Sequence, residues 1–184
     1  MIMTATELRQ FITSDETDYV LVEKLSALEL LIRAYTNNNF QVRHFRAVAV
    51  AMSDGKKLMI NTAIPFKAGD TLQITGSDLQ DNALVTVESV ENGTITVKED
   101  LIDESGVVIT KVKYPQDVKM GIVNLMKWEL DNRDKVGVAS ESISRHSVTY
   151  FSMDGDNAVM GFPKSLMGFL RPYRKARYGR GISV

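Results

Sequence analysis

Apolar positions recur at a helical period at the two ends of this chain and at every second residue through its middle. Near the start, Leu8, Phe11 and Ile12 form one side of a short helix over 4–13. Thr4 or Thr6 can cap it, and Glu7 stands three residues after Thr4, the spacing of a capping box. Ser14, Asp15, Glu16 and Thr17 make a polar turn and the next N-cap. A longer helix is predicted from about Asp18 to Asn37, with Leu21, Leu25, Leu28, Ile32 and Tyr35 as its stripe. Val20, Val22, Leu30 and Leu31 widen that stripe beyond one face. Such a helix is either a subunit interface or a core helix wrapped by the chain's own elements. Asn37-Asn38-Asn39 ends it, because Asn tolerates the left-handed conformation of a helix terminus.

From His44 to Tyr114 the period is two and turn residues punctuate the chain. Val48 and Val50, then Leu58 and Ile60, flank Asp54-Gly55, a two-residue hairpin signal. Leu72 and Ile74 follow Ala68-Gly69-Asp70. A second such hairpin, at Asn92-Gly93, joins Leu84–Val90 to Thr94–Val97, and Val107–Val112 closes the block after Glu104-Ser105-Gly106. About six short strands in so short a stretch predict a small barrel or sandwich.

Helical spacing returns at Pro115, with Val118, Ile122, Leu125 and Met126 on one side, Val123 and Leu130 extending it, and Trp128 packing. Asp131-Asn132-Arg133-Asp134 ends this helix, with Gly137 beyond. Residues 142–151 alternate, Ile143, Val148, Tyr150 and Phe151 being the apolar members, and Gly155 and Asn157 make a turn. Pro163 starts a last short helix whose Leu166, Phe169 and Leu170 face a core, and Pro172 is expected to stop it. The fold class is therefore α+β. A small helical domain, its halves at 1–43 and 115–170, is interrupted by an inserted all-β, barrel- or sandwich-like module at 44–114. The second half carries a β-hairpin, and an extended basic C-terminal arm follows at 171–184.

Charge sharpens the picture of that arm. It holds Arg171, Arg174, Lys175, Arg177 and Arg180 and no acid, whereas residues 1–170 carry 17 bases against 23 acids, net -6. Tyr173 and Tyr178 are interleaved with the bases. A tail with so little to bury of its own is either disordered or folded against something else, and its charge suggests an acidic surface: another protein, a second copy, or nucleic acid. As a protein-docking arm it offers Arg forks for carboxylates and Tyr as an anchor. As a DNA-binding module it would contact phosphates and stack on bases, although the acidic body would repel the same phosphates. A solvated basic terminus without a partner is the third reading.

The rest of the composition mainly excludes. There is no cysteine, which removes disulfides, zinc–thiolate sites and thiol nucleophiles. No apolar run approaches the roughly 20 residues of a membrane span, so no membrane partner is expected, and the first residues lack the layout of a secretion signal. His44 at a strand edge and His146 in an alternating strand read as surface or core residues. No serine has a nucleophile-elbow context and no Gly-rich loop precedes a helix, so no enzyme activity and no catalytic residue are expected. Asp78, Asp81, Asp100 and Asp103 lack the spacing of a calcium loop, and Asp154-Gly155-Asp156-Asn157 reads as a turn; no metal or cofactor is implied. The nine methionines read as core filler and adaptable interface.

Three pieces in combination carry a family resemblance. They are Thr6-Glu7-Leu8-Arg9 followed by a long apolar helix; the Pro115-started helix ending in Asn132-Arg133-Asp134; and Phe162-Pro163, a short helix, and Leu170-Arg171-Pro172-Tyr173-Arg174. Over about 4–43 and 114–178 the chain resembles the head–tail connector, or adaptor, proteins of long-tailed phages. The stretch 65–106, with a Gly-Asp entering a strand, a Gly-Ser loop and a Thr-Val strand leading to a hairpin, resembles a small β-module of phage neck and tail proteins. The β insertion itself departs from the smallest adaptors, which lack it. The resemblance implies a virion structural protein, placed in the host cytoplasm before assembly and in the virion neck afterwards. It implies a homo-oligomeric ring, commonly twelve-membered, under the portal protein. The ring would extend the channel for genomic DNA without sequence-specific contact and present a surface to the next neck protein, a stopper or tail terminator. The portal-binding positions it implies are Leu170, Arg171, Pro172, Tyr173, Arg174 and Arg177, to which the neighbouring Lys175 and Tyr178 are added here as part of the same basic, aromatic run.

Overall fold

The computed structural model describes residues 1–63, 65–132 and 157–176, and the backbone of 140–143 and 146–149. The chain divides into two compact units. Unit 1 comprises Met1–Ile2 and Asn39–Tyr114; unit 2 comprises Met3–Asn38 and Pro115–Val184. Both helices and an antiparallel sheet are present, so the protein is α+β.

Unit 1 contains six strands: β1 (Gln41–Met52), β2 (Lys57–Ile60), β3 (Thr71–Thr75), β4 (Leu84–Glu91), β5 (Thr94–Val97) and β6 (Glu104–Val112). They are hydrogen-bonded in the order β1-β2-β5-β4-β3-β6, and β6 returns to β1. Leu58, Leu72, Ile74, Val87, Ile95, Val97, Val107 and Ile109 are buried together as the core.

The Asn92-Gly93 turn forms as expected. Glu91 pairs with Thr94, and both turn residues have positive φ, 46° and 79°, the geometry whose twist matches the flanking strands. The Asp54-Gly55 expectation needs correction. Met52 pairs with Lys57, so four residues, Ser53–Lys56, form the connection, with Gly55 and Lys56 at positive φ, 68° and 51°. Tertiary contacts hold it in this wider form: the Ser53 N–H donates to Asp103, and Lys56 reaches Asp100 at 2.8 Å and the Lys98 carbonyl at 2.9 Å. β1 starts at Gln41 rather than His44. Ala47, Ala49 and Ala51 point inward and are buried, while Val48, Val50 and Met52 point outward and are exposed.

Unit 2 opens with α1 (Ala5–Leu8), shorter than the 4–13 expected. Its capping box is complete: Thr4 Oγ1 accepts from the Glu7 N–H, and the Thr4 N–H donates to Glu7. The next helix, α2 (Asp18–Thr36), is capped by Thr17 and ends at Asn37 in the left-handed conformation, φ 49°. Leu21, Leu25, Leu28 and Ile32 are buried, whereas Leu30 is 63% exposed and Leu31 only partly covered. The helix α3 (Gln116–Asn132) buries Val118, Ile122, Val123, Leu125 and Met126. Trp128 packs edge-on against Phe162, ring centres 5.3 Å apart. The expected hairpin is present as β7 (Ser140–Ile143) and β8 (His146–Thr149), joined from Ser140↔Thr149 to Ile143↔His146. The expected helix end at Arg133-Asp134 with Gly137, the strand residues Tyr150 and Phe151, and the first three residues of the Asp154–Asn157 turn lie outside the described residues. Two short strands, β9 (Ala158–Val159) and β10 (Phe162–Pro163), then pair.

The last helix is a 3-10 helix, Lys164–Tyr173, and it runs through Pro172, contrary to the expected stop. In an α-helix a proline ring strikes the carbonyl four residues back. Winding three residues per turn moves that carbonyl aside, so the segment ends at Tyr173, with Arg174 extended.

Candidate interaction surfaces

The end of the chain is not a free arm from Arg171 onward. Through Ala176 it is fastened to unit 2. Leu170 is fully buried and Phe169 lies across α3 at Gly121, where an added Cβ would stand 2.4 Å from the ring. The Tyr173 hydroxyl donates to the Asp117 carboxylate, its oxygens 2.7 and 2.8 Å away. That bond raises the phenol pKa above its usual value, because ionisation would forfeit the donor and place two anions together. Asn38 Nδ2 donates to the Tyr173 carbonyl at 3.2 Å, the Lys175 N–H to the Thr36 carbonyl at 2.8 Å, and Asn37 Nδ2 to the Ala176 carbonyl at 3.0 Å. The Arg174 guanidinium lies 5.2 Å from the centre of the Tyr35 ring. The C-terminal end of α2 therefore holds the segment largely by its backbone.

This arrangement sorts the residues expected at the portal contact. Leu170 belongs to the unit's own core and offers no surface. Tyr173 is half-buried against Asp117. Arg171, Pro172, Arg174 and Lys175 are exposed. Arg177 and Tyr178 lie outside the described residues. What results over 171–176 is an ordered ledge bearing three cations.

Unit 1 carries a second surface that the sequence reading passed over. On the outer face of β1, Val48, Val50 and Met52 are exposed by 63%, 43% and 37%, and Met59 of β2, paired with Val50, by 48%. The signal was present: Ala47–Met52 is apolar at every position, the pattern of a strand covered on both faces. Beside this stripe, a surface depression is lined by Val50, Met52, Asp54, Asp78, Asp103 and Glu104. The Glu104 carboxylate is held below its usual pKa by the Ser77 hydroxyl and then the Asp78 N–H; the Ser53 N–H does the same for Asp103. Both are therefore anionic at neutral pH, and among the described residues no base lines the depression. Among the described residues, no group of three or more His, Asp or Glu is placed to hold a metal ion, and no helix is long and apolar enough to cross a membrane. Asp78 and Asp103 line the depression, whereas Asp81 and Asp100 do not; Asp81 accepts from the Gly76 N–H.

No protein-family model matches the chain, and no curated protein matches it.

Proposed function

We propose that the chain is a virion structural adaptor, which assembles as a ring under a portal, extends the DNA channel and links capsid to tail. The observation that carries this reading is the ledge at 171–176. Three exposed cations, Arg171, Arg174 and Lys175, sit on a segment fastened to a helical unit that is built from both ends of the chain. Ordering the ledge in advance lowers the entropy lost when a partner docks. Arg adds bidentate recognition of carboxylates on that partner. In this reading unit 1 is a barrel-like module inserted at the loop between α2 and α3, and it departs from the simplest connectors.

The test is to mix the purified protein with particles of its cognate portal and image the product by electron microscopy. Removing the whole segment from Arg171 would also remove the Tyr173–Asp117 and Lys175–Thr36 bonds, so charge reversal is the better perturbation. A ring stacked on the portal, lost in Arg171→Glu/Arg174→Glu/Lys175→Glu with the fold intact, is the expected result. A folded protein that forms no ring on the portal refutes the adaptor reading. Steeply salt-dependent binding to duplex DNA in that case would identify the bases as phosphate contacts instead.

A further inference from the structure

The outer face of β1 is built against expectation for a surface strand. Its small residues, Ala47, Ala49 and Ala51, face the core, and its large apolar residues, Val48, Val50 and Met52, face water. Met59 continues the stripe on β2. An exposed apolar set of this kind marks an interaction site. The rim decides what covers it. On the side toward Glu104 and Ser105, Asp54, Asp78, Asp103 and Glu104 make the adjoining depression anionic, whereas Lys57 and Glu91 border the stripe on the β2 side. Two copies meeting through this same face would bring those carboxylates together, and a nucleic acid would set phosphates against them. An apolar segment that sets its bases on the acidic side of the stripe fits this face.

The chain supplies such a segment. Residues 177–184 read Arg-Tyr-Gly-Arg-Gly-Ile-Ser-Val, with two bases, three apolar or aromatic side chains and no acid. Eight residues can span up to about 26 Å when extended, and Val48–Met52 occupies about 13 Å of strand, so length is sufficient. We propose that residues 177–184 of one copy dock on the apolar, acid-rimmed outer face of β1 and β2 in a second copy. Complementary but different patches on one chain generate a ring when the rotation closes. The inference rests on the ring reading for the arrangement of copies, and it leaves Arg171, Arg174 and Lys175 for the portal.

The experiment mixes isotopically heavy and light full-length chains carrying a photo-crosslinking phenylalanine at Tyr178. Irradiation is carried out in concentrated solution and on portal particles, and crosslinked peptides are identified by mass. Expected are heavy–light crosslinks into Val48–Met59. They should fall about tenfold in Val50→Asp/Met59→Asp, the effect of losing roughly 1.4 kcal/mol of contact. They should fall with added salt as well. Asp54→Lys/Asp78→Lys changes only exposed rim positions and should weaken the crosslinks if the first variant does not fold. Crosslinks confined to one copy, landing elsewhere, unaffected by the variants, or absent under both conditions overturn the proposal. A normal ring on the portal without heavy–light crosslinks to this face refutes this inference alone. Crosslinks without a ring on the portal refute the adaptor reading alone.

Discussion

Replacing Gly121 by alanine has a sign that depends on one neighbour. In α3 the Phe169 ring rests directly on Gly121, and three of its carbons would lie 2.4–2.5 Å from a new Cβ. Ordinary contact is about 3.5–4.0 Å, so the ring must withdraw by more than 1 Å or leave. Overpacking of this kind costs roughly 1–3 kcal/mol. Against it stands the gain of removing a glycine from a helix interior, about 1 kcal/mol. Gly121→Ala should therefore destabilise unit 2 by about 1 kcal/mol, the small remainder of two opposed effects. Removing the obstacle reverses the outcome. In a Phe169→Ala background, which itself costs about 2 kcal/mol for a half-buried ring, Gly121→Ala should stabilise by about 1 kcal/mol. Urea unfolding followed by Trp128 fluorescence reads this unit, because Trp128 is the only tryptophan and packs within it. The coupling between the two positions should be about 2 kcal/mol. Gly121→Ala stabilising equally in both backgrounds would refute the packing argument. The 3-10 helix carrying Phe169 also carries Arg171 and leads into Arg174 and Lys175, so on the adaptor proposal Gly121→Ala should weaken portal attachment as well.

Other outcomes follow from the same geometry. Gly93→Ala places a side chain at φ 79° with its Cβ 3.0 Å from the Ile60 carbonyl, and should cost unit 1 roughly 1–2 kcal/mol in thermal unfolding. Thr4→Ala removes the cap of α1 and should cost about 1 kcal/mol, read by amide exchange of residues 5–8. Asp100, Asp103 and Glu104 have folded pKa values below their ordinary ones, Asp100 through its hydrogen bond to Lys56. Their contribution is complete above the ordinary carboxylate range and is lost as pH falls through and below it. Thermal melts from neutral to acidic pH should flatten in Asp103→Asn/Glu104→Gln. Tyr173 shifts the other way: its contribution is present below the ordinary phenol pKa and is lost as pH rises through the raised value. Tyr173→Phe should remove that alkaline loss, measured by amide exchange at Lys175.

Local rules were readable from the residues alone. Thr4 with Glu7, Thr17 and Asn37 bound their helices because caps depend on backbone groups within a few positions. Asn92-Gly93 made its turn because positive φ is a property of those two residues. The change from helical to alternating spacing marked the strand region because each period describes one element's own geometry.

Tertiary structure decided what depends on residues far apart in the chain. Period two shows that Ala47–Met52 has two apolar faces, but pairing with β2 and β6 chose the alanines for the core. Asp54-Gly55 carried a tight-turn signal that Asp103 and Asp100, nearly fifty residues on, overrode. Basic composition made the last residues look free from Arg171, yet Thr36, Asn37, Asn38 and Asp117 fasten them through Ala176. Charge along a sequence says what a segment attracts; which backbone groups hold it depends on partners that only the folded chain brings within 3 Å.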